Sequence, residues 1–404
     1  MSQLQHIAFC GGGSGGHLIP AIAVAEELRV VNSNTHFLFL TSGRPIDRHI
    51  LENSGLPTGS VDQVALPLRT STGRILFAFQ CVRSVLQCRR RFQRQRPDIV
   101  IGLGGFAAIP GVAAAWVSGI PVVLLEQNTV PGRANRWLRR LATTTYVGWP
   151  LETKWRHQWR SPIIEVGVPL RRVFPTGELS CAPPVTAVPN TSRLLVLGGS
   201  QGAMRLNSIV VNTLTSLNSR SWKLHVVHQT GIDDLDNVRN AYEQAGITAD
   251  VHAFIDDMPQ QLTASTLVIS RSGAVALAEI AASGKASVLF PLSTSCDNHQ
   301  LRNAEFLEAC GAAVIVCEQD HDAPLRLADH LRRLLDSDCR QTNSNQEPVD
   351  CRTEIENCTQ AAETANAPRA AMESAARRVA PENAAAAIVK SLLTLSDRSV
   401  HSPE

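Results

Sequence analysis

Residues 99–125 read IVIGLGGFAAIPGVAAAWVSGIPVVLL, and residues 267–290 read LVISRSGAVALAEIAASGKASVLF. Both follow one scheme: a short apolar strand, a glycine turn, an alanine-rich helix, a glycine and a second apolar strand. Parallel strands need a crossover connection, and a helix supplies it, so each stretch reads as a βαβ unit. Upstream of the first, His6–Cys10 is a strand, Gly11–Gly16 a loop, Ile19–Val31 a helix and Thr35–Leu40 a strand. A second series opens near Leu194–Leu197 and runs into Gly198-Gly199-Ser200-Gln201-Gly202, followed by strands at Leu224–Val227, Val251–Phe254, Leu267–Ser270 and Ser287–Phe290. The fold class is therefore α/β, with two Rossmann-like doubly wound parallel-sheet domains. The expected division is 1–166 and 167–380. Thr176–Ser192 reads as a surface loop, 341–371 as a polar, mobile insertion, and 381–395 as an amphipathic helix packing back on the first domain.

The chain has 404 residues and a net charge of +2, from 38 basic and 36 acidic side chains. That balance argues against a nucleic-acid partner, which calls for a clear basic excess. Ten cysteines occur without a Cys-x-x-Cys pair, the pattern of reduced thiols in a cytosolic chain. Met1–Phe9 carries no basic n-region, and glycines and prolines interrupt the uncharged run Ile101–Leu125, so neither reads as a signal peptide or spanning helix.

The glycine loop Gly11–Gly16, closed by His17, stands between strand and helix, where backbone N–H groups can approach a phosphate or sugar. It lacks the dinucleotide spacing, and Leu40 is followed by Thr41-Ser42 rather than an acidic residue. Gly284-Lys285 lacks the upstream glycine of a Walker loop. Gly198–Ala203 repeats the glycine arrangement, as a tight turn or as a second anion site with Ser200. Glu279 sits in an otherwise apolar helix, where a ribose diol or a buried arginine would satisfy it. Asp297-Asn298-His299-Gln300 with Asn303 suits sugar hydroxyls or a helix cap, and Glu126-Gln127-Asn128 lies at a strand end, where doubly wound sheets bind ligands. Arg83–Arg96 holds six arginines just after Ile75–Phe79, either a solvated helix face or a surface for anionic membrane.

Taken together, GGGSGGHLIPAIAVAEE (11–27), 102–116, 119–128 with Pro131-Gly132 and Asn135-Arg136, 198–207, FIDDM (254–258), 271–284 and 297–304 resemble the MurG family in collinear order. The resemblance implies an inverting glycosyltransferase of the GT-B type, with two Rossmann domains facing across a cleft. It implies transfer of N-acetylglucosamine from UDP-N-acetylglucosamine to the muramoyl 4-hydroxyl of lipid I, giving lipid II. It assigns UDP-sugar contacts to Ser14, Gly15, Gly16, Asn128, Arg171, Ser200, Ile255, Ala274, Val275, Ala276, Leu277, Ala278, Glu279, His299 and Gln300. Gly104, Gly105 and Phe106 fall on the acceptor side. His17 is the first candidate base and Glu126 the second. The implied scheme uses no metal and no cofactor. It also implies a peripheral protein on the cytoplasmic face of the inner membrane, with cell-wall synthesis and division proteins as partners.

The chain departs from the family pattern at Val168, where Asn is usual, at Phe106, where Tyr is usual, and at Ser14, where Thr is common. Rival readings are another GT-B transferase, a hydrolysing UDP-N-acetylglucosamine 2-epimerase and a nonenzymatic UDP-sugar-binding scaffold. His17 and Glu126-Gln127-Asn128 favour the transferase.

Overall fold

The computed structural model describes residues 4–13, 15–57, 61–65, 74–172, 191–199, 202–217, 223–335, 369–380 and 382–400. The chain divides into two compact units, Met1–Arg172 with Pro381–Glu404, and Val173–Ala380. The junction, expected near Val166–Arg172, lies after Arg172 in this division. Arg171 is tied into the first unit by bonds to Glu26 and to the Ser54 carbonyl.

Unit 1 is built on β1 (His6–Gly11), β2 (His36–Thr41), β3 (Val61–Ala65), β4 (Ile99–Gly104), β5 (Val122–Glu126), β6 (Thr144–Val147) and β7 (Ile163–Glu165). Its helices are α1 (Gly15–Val31), α2 (Pro45–Glu52), α3 (Arg74–Arg94), α4 (Ala108–Val117), α5 (Arg133–Leu138) and α6 (Thr153–Arg156). The strands form one parallel sheet in the order β3-β2-β1-β4-β5-β6-β7. Alternate residues feed two cores, as the pleat requires: Ile7, Phe9, Ile101 and Leu103 on one face, Ala8, Cys10, Val100 and Leu124 on the other.

Unit 2 contains β8 (Ser192–Leu197), α7 (Met204–Ser216), β9 (Leu224–Gln229), α8 (Leu235–Ala245), β10 (Ala249–His252), α9 (Met258–Ala264), β11 (Leu267–Ser270), α10 (Ala274–Ala282), β12 (Ser287–Leu289), α11 (His299–Ala309), β13 (Ala313–Ile315), α12 (Ala323–Leu335) and α13 (Arg369–Val379). Its parallel sheet runs β10-β9-β8-β11-β12-β13. The last helix, α14 (Ala384–Val400), belongs to unit 1. There Ile388, Val389 and Leu392 join the core beside α1, and the Tyr146 hydroxyl donates to Ser391 Oγ at 2.8 Å.

One expected strand is misplaced. Val251–Phe254 becomes Ala249–His252, because pairing with β9 begins at Ala249 opposite Val226 and leaves Phe254 exposed. Residues 173–190 and 341–368, which carry most of the expected loop and insertion, lie outside the described residues; Arg369–Ala371 already begin α13.

The strand order reverses direction between β1 and β4 in unit 1, and between β8 and β11 in unit 2. Ligands of doubly wound sheets bind beyond the strand C-termini at such switch points. The two glycine loops lie at the ends of β1 and β8; Gly104-Gly105 closes β4, and Ser272-Gly273 follows β11.

Candidate active site

At the β1/β4 switch of unit 1, His17 lies in the first turn of α1 with its ring over the turn after β4. A Cβ built on Gly104 would lie 3.4 Å from His17 Nε2 and 3.4 Å from Asn135 Nδ2. One built on Gly105 would lie 3.6 Å from His17 Cε1 and 3.6 Å from the Gly12 carbonyl oxygen. Gly104 and Gly105 also have φ of 89° and 69°, so only glycine fits both the turn and the approach of the imidazole.

Glu126, at the end of β5, is buried, and both its oxygens are in use. Oε1 accepts from the Asn128 backbone N–H at 3.0 Å and its Nδ2 at 3.1 Å. Oε2 accepts from the Gly132 N–H and Asn135 Nδ2, each at 2.9 Å. Asn135 Nδ2 also donates to the Leu125 carbonyl at 3.0 Å. The carboxylate therefore pins the 126–135 loop and the side chain facing His17. Glu126→Ala would strip the acceptor from four N–H contacts, at a cost on the order of 3 kcal/mol, and is expected to lower the thermal midpoint by several degrees. Calorimetry of the variant checks this.

In unit 2, Glu279 lies on α10, and burial pushes its carboxyl up to about 8. Close packing surrounds it on most sides, yet part of its surface stays open. Neither an arginine nor any other described side chain bonds the carboxyl, so of its two expected satisfiers the protein supplies none. Ala274 and Val275 are nearly covered, and Leu277 and Ala278 are fully enclosed. The helical period turns the last two side chains into the core.

Ile255 is buried after β10. His299 Nδ1 bonds the Cys296 carbonyl at 2.8 Å, and Gln300 Oε1 accepts from the Leu292 N–H at 3.0 Å. Both thus brace the Pro291–Asn298 loop. In that loop Asp297 and Asn298 each hold φ at 54°. Ser272 Oγ and Gln229 Oε1, at the ends of β11 and β9, are buried without a hydrogen-bond partner among the described residues. His228 was not singled out from sequence. Burial holds its imidazole down at about 3, hence neutral, while it bonds the Tyr242 hydroxyl at 2.9 Å and Asn207 Oδ1 at 3.1 Å, fixing α7 behind the glycine loop.

Ser14 and Ser200 lie outside the described residues. Gly15 and Gly16 open α1, and Phe106 is half exposed beside Gly105. Arg171 belongs to unit 1, where Nε meets Glu26 at 3.1 Å and Nη2 meets the Ser54 carbonyl at 2.9 Å. Val168 is a core residue. Asp-x-Asp pairs occur at Asp234/Asp236, Asp320/Asp322 and Asp336/Asp338, the last outside the described residues; Asp234 accepts from Asn207, Asp236 pairs with Arg239, and Asp320 with Arg326.

Residues 7–147 match the glycosyltransferase family 28 N-terminal domain, and residues 193–364 match the glycosyltransferase family 28 C-terminal domain. A protein of Anaeromyxobacter sp. (strain K), named UDP-N-acetylglucosamine--N-acetylmuramyl-(pentapeptide) pyrophosphoryl-undecaprenol N-acetylglucosamine transferase, is 36% identical over 327 residues, 81% of this chain and 84% of the relative. The chain belongs to the MurG family. A relative of the same name from Coxiella burnetii (strain Dugway 5J108-111) is 34% identical over 350 residues, covering 82% of this chain and 94% of its own. The crystal structure of Acinetobacter baumannii MurG aligns with a TM-score of 0.68 at 25% identity, over 96% of this chain and 99% of that one. The family's two-domain glycosyltransferase architecture is thus carried here by units with complete parallel sheets.

Proposed function

We propose that this chain transfers N-acetylglucosamine from UDP-N-acetylglucosamine to the muramoyl 4-hydroxyl of lipid I, forming the β-1,4 bond of lipid II. The observation that carries the reading is the His17 imidazole laid over Gly104-Gly105 beside Asn135, with Glu126 fixing the loop around it. In the reaction the 4-hydroxyl oxygen attacks the anomeric carbon in line. The new C–O bond forms as the bond to the diphosphate breaks, and UDP leaves with the electron pair. His17 takes the hydroxyl proton. Glu126 orients Asn128 and Asn135, since its own oxygens already hold four donors. Glu279 accepts the two ribose hydroxyls, and Ile255 meets the uracil through its backbone. His299 and Gln300 read the sugar. The family resemblance assigns Ser200 and Arg171 to the diphosphate, which glycine N–H groups also suit. Ser14, Gly15 and Gly16 bear on the donor and acceptor, with Phe106 at the acceptor. An acceptor analogue lacking the 4-hydroxyl tests the scheme: it is expected to give no product, while the parent acceptor gives a β-1,4-linked disaccharide by NMR. Equal UDP release from both would contradict it.

The same reading places the protein peripherally on the cytoplasmic face of the inner membrane, where cell-wall synthesis and division proteins would be its neighbours. Among the described residues no helix is long and apolar enough to cross a membrane. Phe79, Val82 and Leu86 of α3, Trp116 and Val117 of α4, and Trp137 of α5 are exposed, on helices packed side by side. Arg83, Arg89, Arg90 and Arg94 are exposed on α3. Apolar side chains flanked by cations suit an anionic leaflet. Vesicles containing anionic phosphatidylglycerol are expected to sediment the protein, and Phe79→Ser with Val82→Ser to reduce the bound fraction severalfold. Equal binding to neutral vesicles would contradict the charge contribution.

A further inference from the structure

The glycine loop of unit 1 has an unusual backbone: φ is 144° at Gly11, 153° at Gly12 and 89° at Gly13. Glycine permits these angles but does not choose them, so something outside the loop has to hold it. The holder is the turn Ser42–Asp47 that follows β2. Asp47 is buried, and its Oδ1 accepts the Gly13 N–H at 2.6 Å. Its Oδ2 accepts the Ser42 hydroxyl at 2.6 Å. Arg44 Nη1 donates to the Gly13 carbonyl at 3.2 Å, so both polar backbone groups of Gly13 are taken. A Cβ on Gly12 would lie 3.0 Å from Asp47 Oδ2.

The other side of this loop meets the His17 ring. The Gly12 carbonyl and His17 Cε1 are both 3.6 Å from the Cβ position of Gly105, and His17 follows the loop within the first turn of α1. Loop and imidazole therefore seat on the same glycine. The Gly13 N–H, which a phosphate would take in a dinucleotide loop, is spent on a carboxylate instead.

From this arrangement we propose that Asp47 is a positioning residue for the transfer step, its carboxylate fixing the Gly11–Gly13 loop and through it the His17 imidazole. The inference rests on the reading of His17 as the base. Displacements of about 1 Å at a reacting group cost on the order of 100-fold in rate. Asp47→Ala is accordingly expected to lower kcat for transfer about 30- to 100-fold and to leave the KM for UDP-N-acetylglucosamine within twofold. Asp47→Asn keeps an oxygen for the Gly13 N–H, while the Ser42 hydroxyl can turn to accept from the amide, so most of the activity should return. Ser42→Ala, which keeps the Gly13 bond, should lose only a few-fold.

A double-variant cycle separates the two readings. Residues acting through one another are non-additive, so Asp47→Ala added to His17→Ala should cost less than about threefold more. A full additional loss in the His17→Ala background would overturn the role of Asp47, as would an Asp47→Ala enzyme within threefold of the parent. Near-parental activity of His17→Ala would instead overturn the base assignment. Should Asp47→Ala fail to fold, Asp47→Asn and Ser42→Ala carry the test, and a donor KM that falters in step with kcat in both overturns the proposal.

Discussion

Replacing His17 by alanine is expected to lower the kcat of acceptor-dependent UDP release about 1,000-fold while leaving the affinity for UDP-N-acetylglucosamine within twofold. Positioned general bases contribute roughly 100- to 10,000-fold, and a sugar hydroxyl is too weakly acidic to attack without losing its proton in the transition state. The second half of the expectation follows from the division of labour. His17 belongs to unit 1, whereas Ile255, Glu279, His299 and Gln300 belong to unit 2. Isothermal titration with the UDP-sugar alone, set beside steady-state rates with a soluble lipid I analogue, reads the two quantities separately. A parallel loss of donor binding would mean that His17 holds the donor rather than the proton. His17→Gln keeps a hydrogen-bonding side chain but cannot take up the proton as imidazole does, so it should recover little of the rate.

The second large effect concerns Glu279. Burial alone raises its carboxyl to about 8, well above 4.5. The sign for stability follows from proton binding: between those two values the folded chain keeps a proton that the unfolded chain has released. Stability therefore falls as pH rises from about 4.5, and the loss is complete above about 8. Glu279→Gln removes this burden and should melt higher than the parent at pH 8, with little difference near pH 4.5. Donor binding should run the other way. Two ribose hydroxyls donating to the carboxylate favour its ionised form, so affinity should increase with pH up to about 8, by at most about tenfold per unit. UDP-N-acetylglucosamine suits the titration because its diphosphate does not titrate over that range. Glu279→Gln should flatten the profile. Glu279→Ala should weaken binding by about 2 kcal/mol, or about 30-fold, as expected for hydrogen bonds to a charged acceptor. A profile unchanged in Glu279→Gln would remove the diol assignment.

Most of the fold was legible because parallel strands buried on both faces write themselves as continuous apolar runs. Ile99–Gly104 and Leu267–Ser270 are such runs, each ended by a glycine or serine turn that marks the strand's C-terminus. Val251–Phe254 misled because the charged Asp250 lies inside the strand, which opens at Ala249, and the apolar Phe254 belongs to the segment after it. Gly104-Gly105 could be picked out through the family resemblance, His17 because it closes a glycine loop, and Glu126 because it is polar at the end of an apolar strand. How Glu126 acts could not: its donors come from backbone groups, from Asn128 and from Asn135 on α5, and only the folded loop brings them to one carboxylate. Asp47 was missed for a similar reason. Nothing near it in sequence announces that its partner is Gly13, 34 residues away along the chain. Leu277 and Ala278 stand in the collinear run Ala274–Glu279, and only the folded helix shows that their side chains turn into the core.

UDP release from UDP-N-acetylglucosamine, with and without a soluble lipid I analogue, shows whether donor and acceptor chemistry meet in one turnover. Release is expected only with acceptor, one UDP for each β-1,4-linked disaccharide formed, and is expected to be lost in His17→Ala. Release at the same rate without acceptor, with the sugar freed or epimerised, would contradict it and return the chain to the hydrolysing epimerase chemistry.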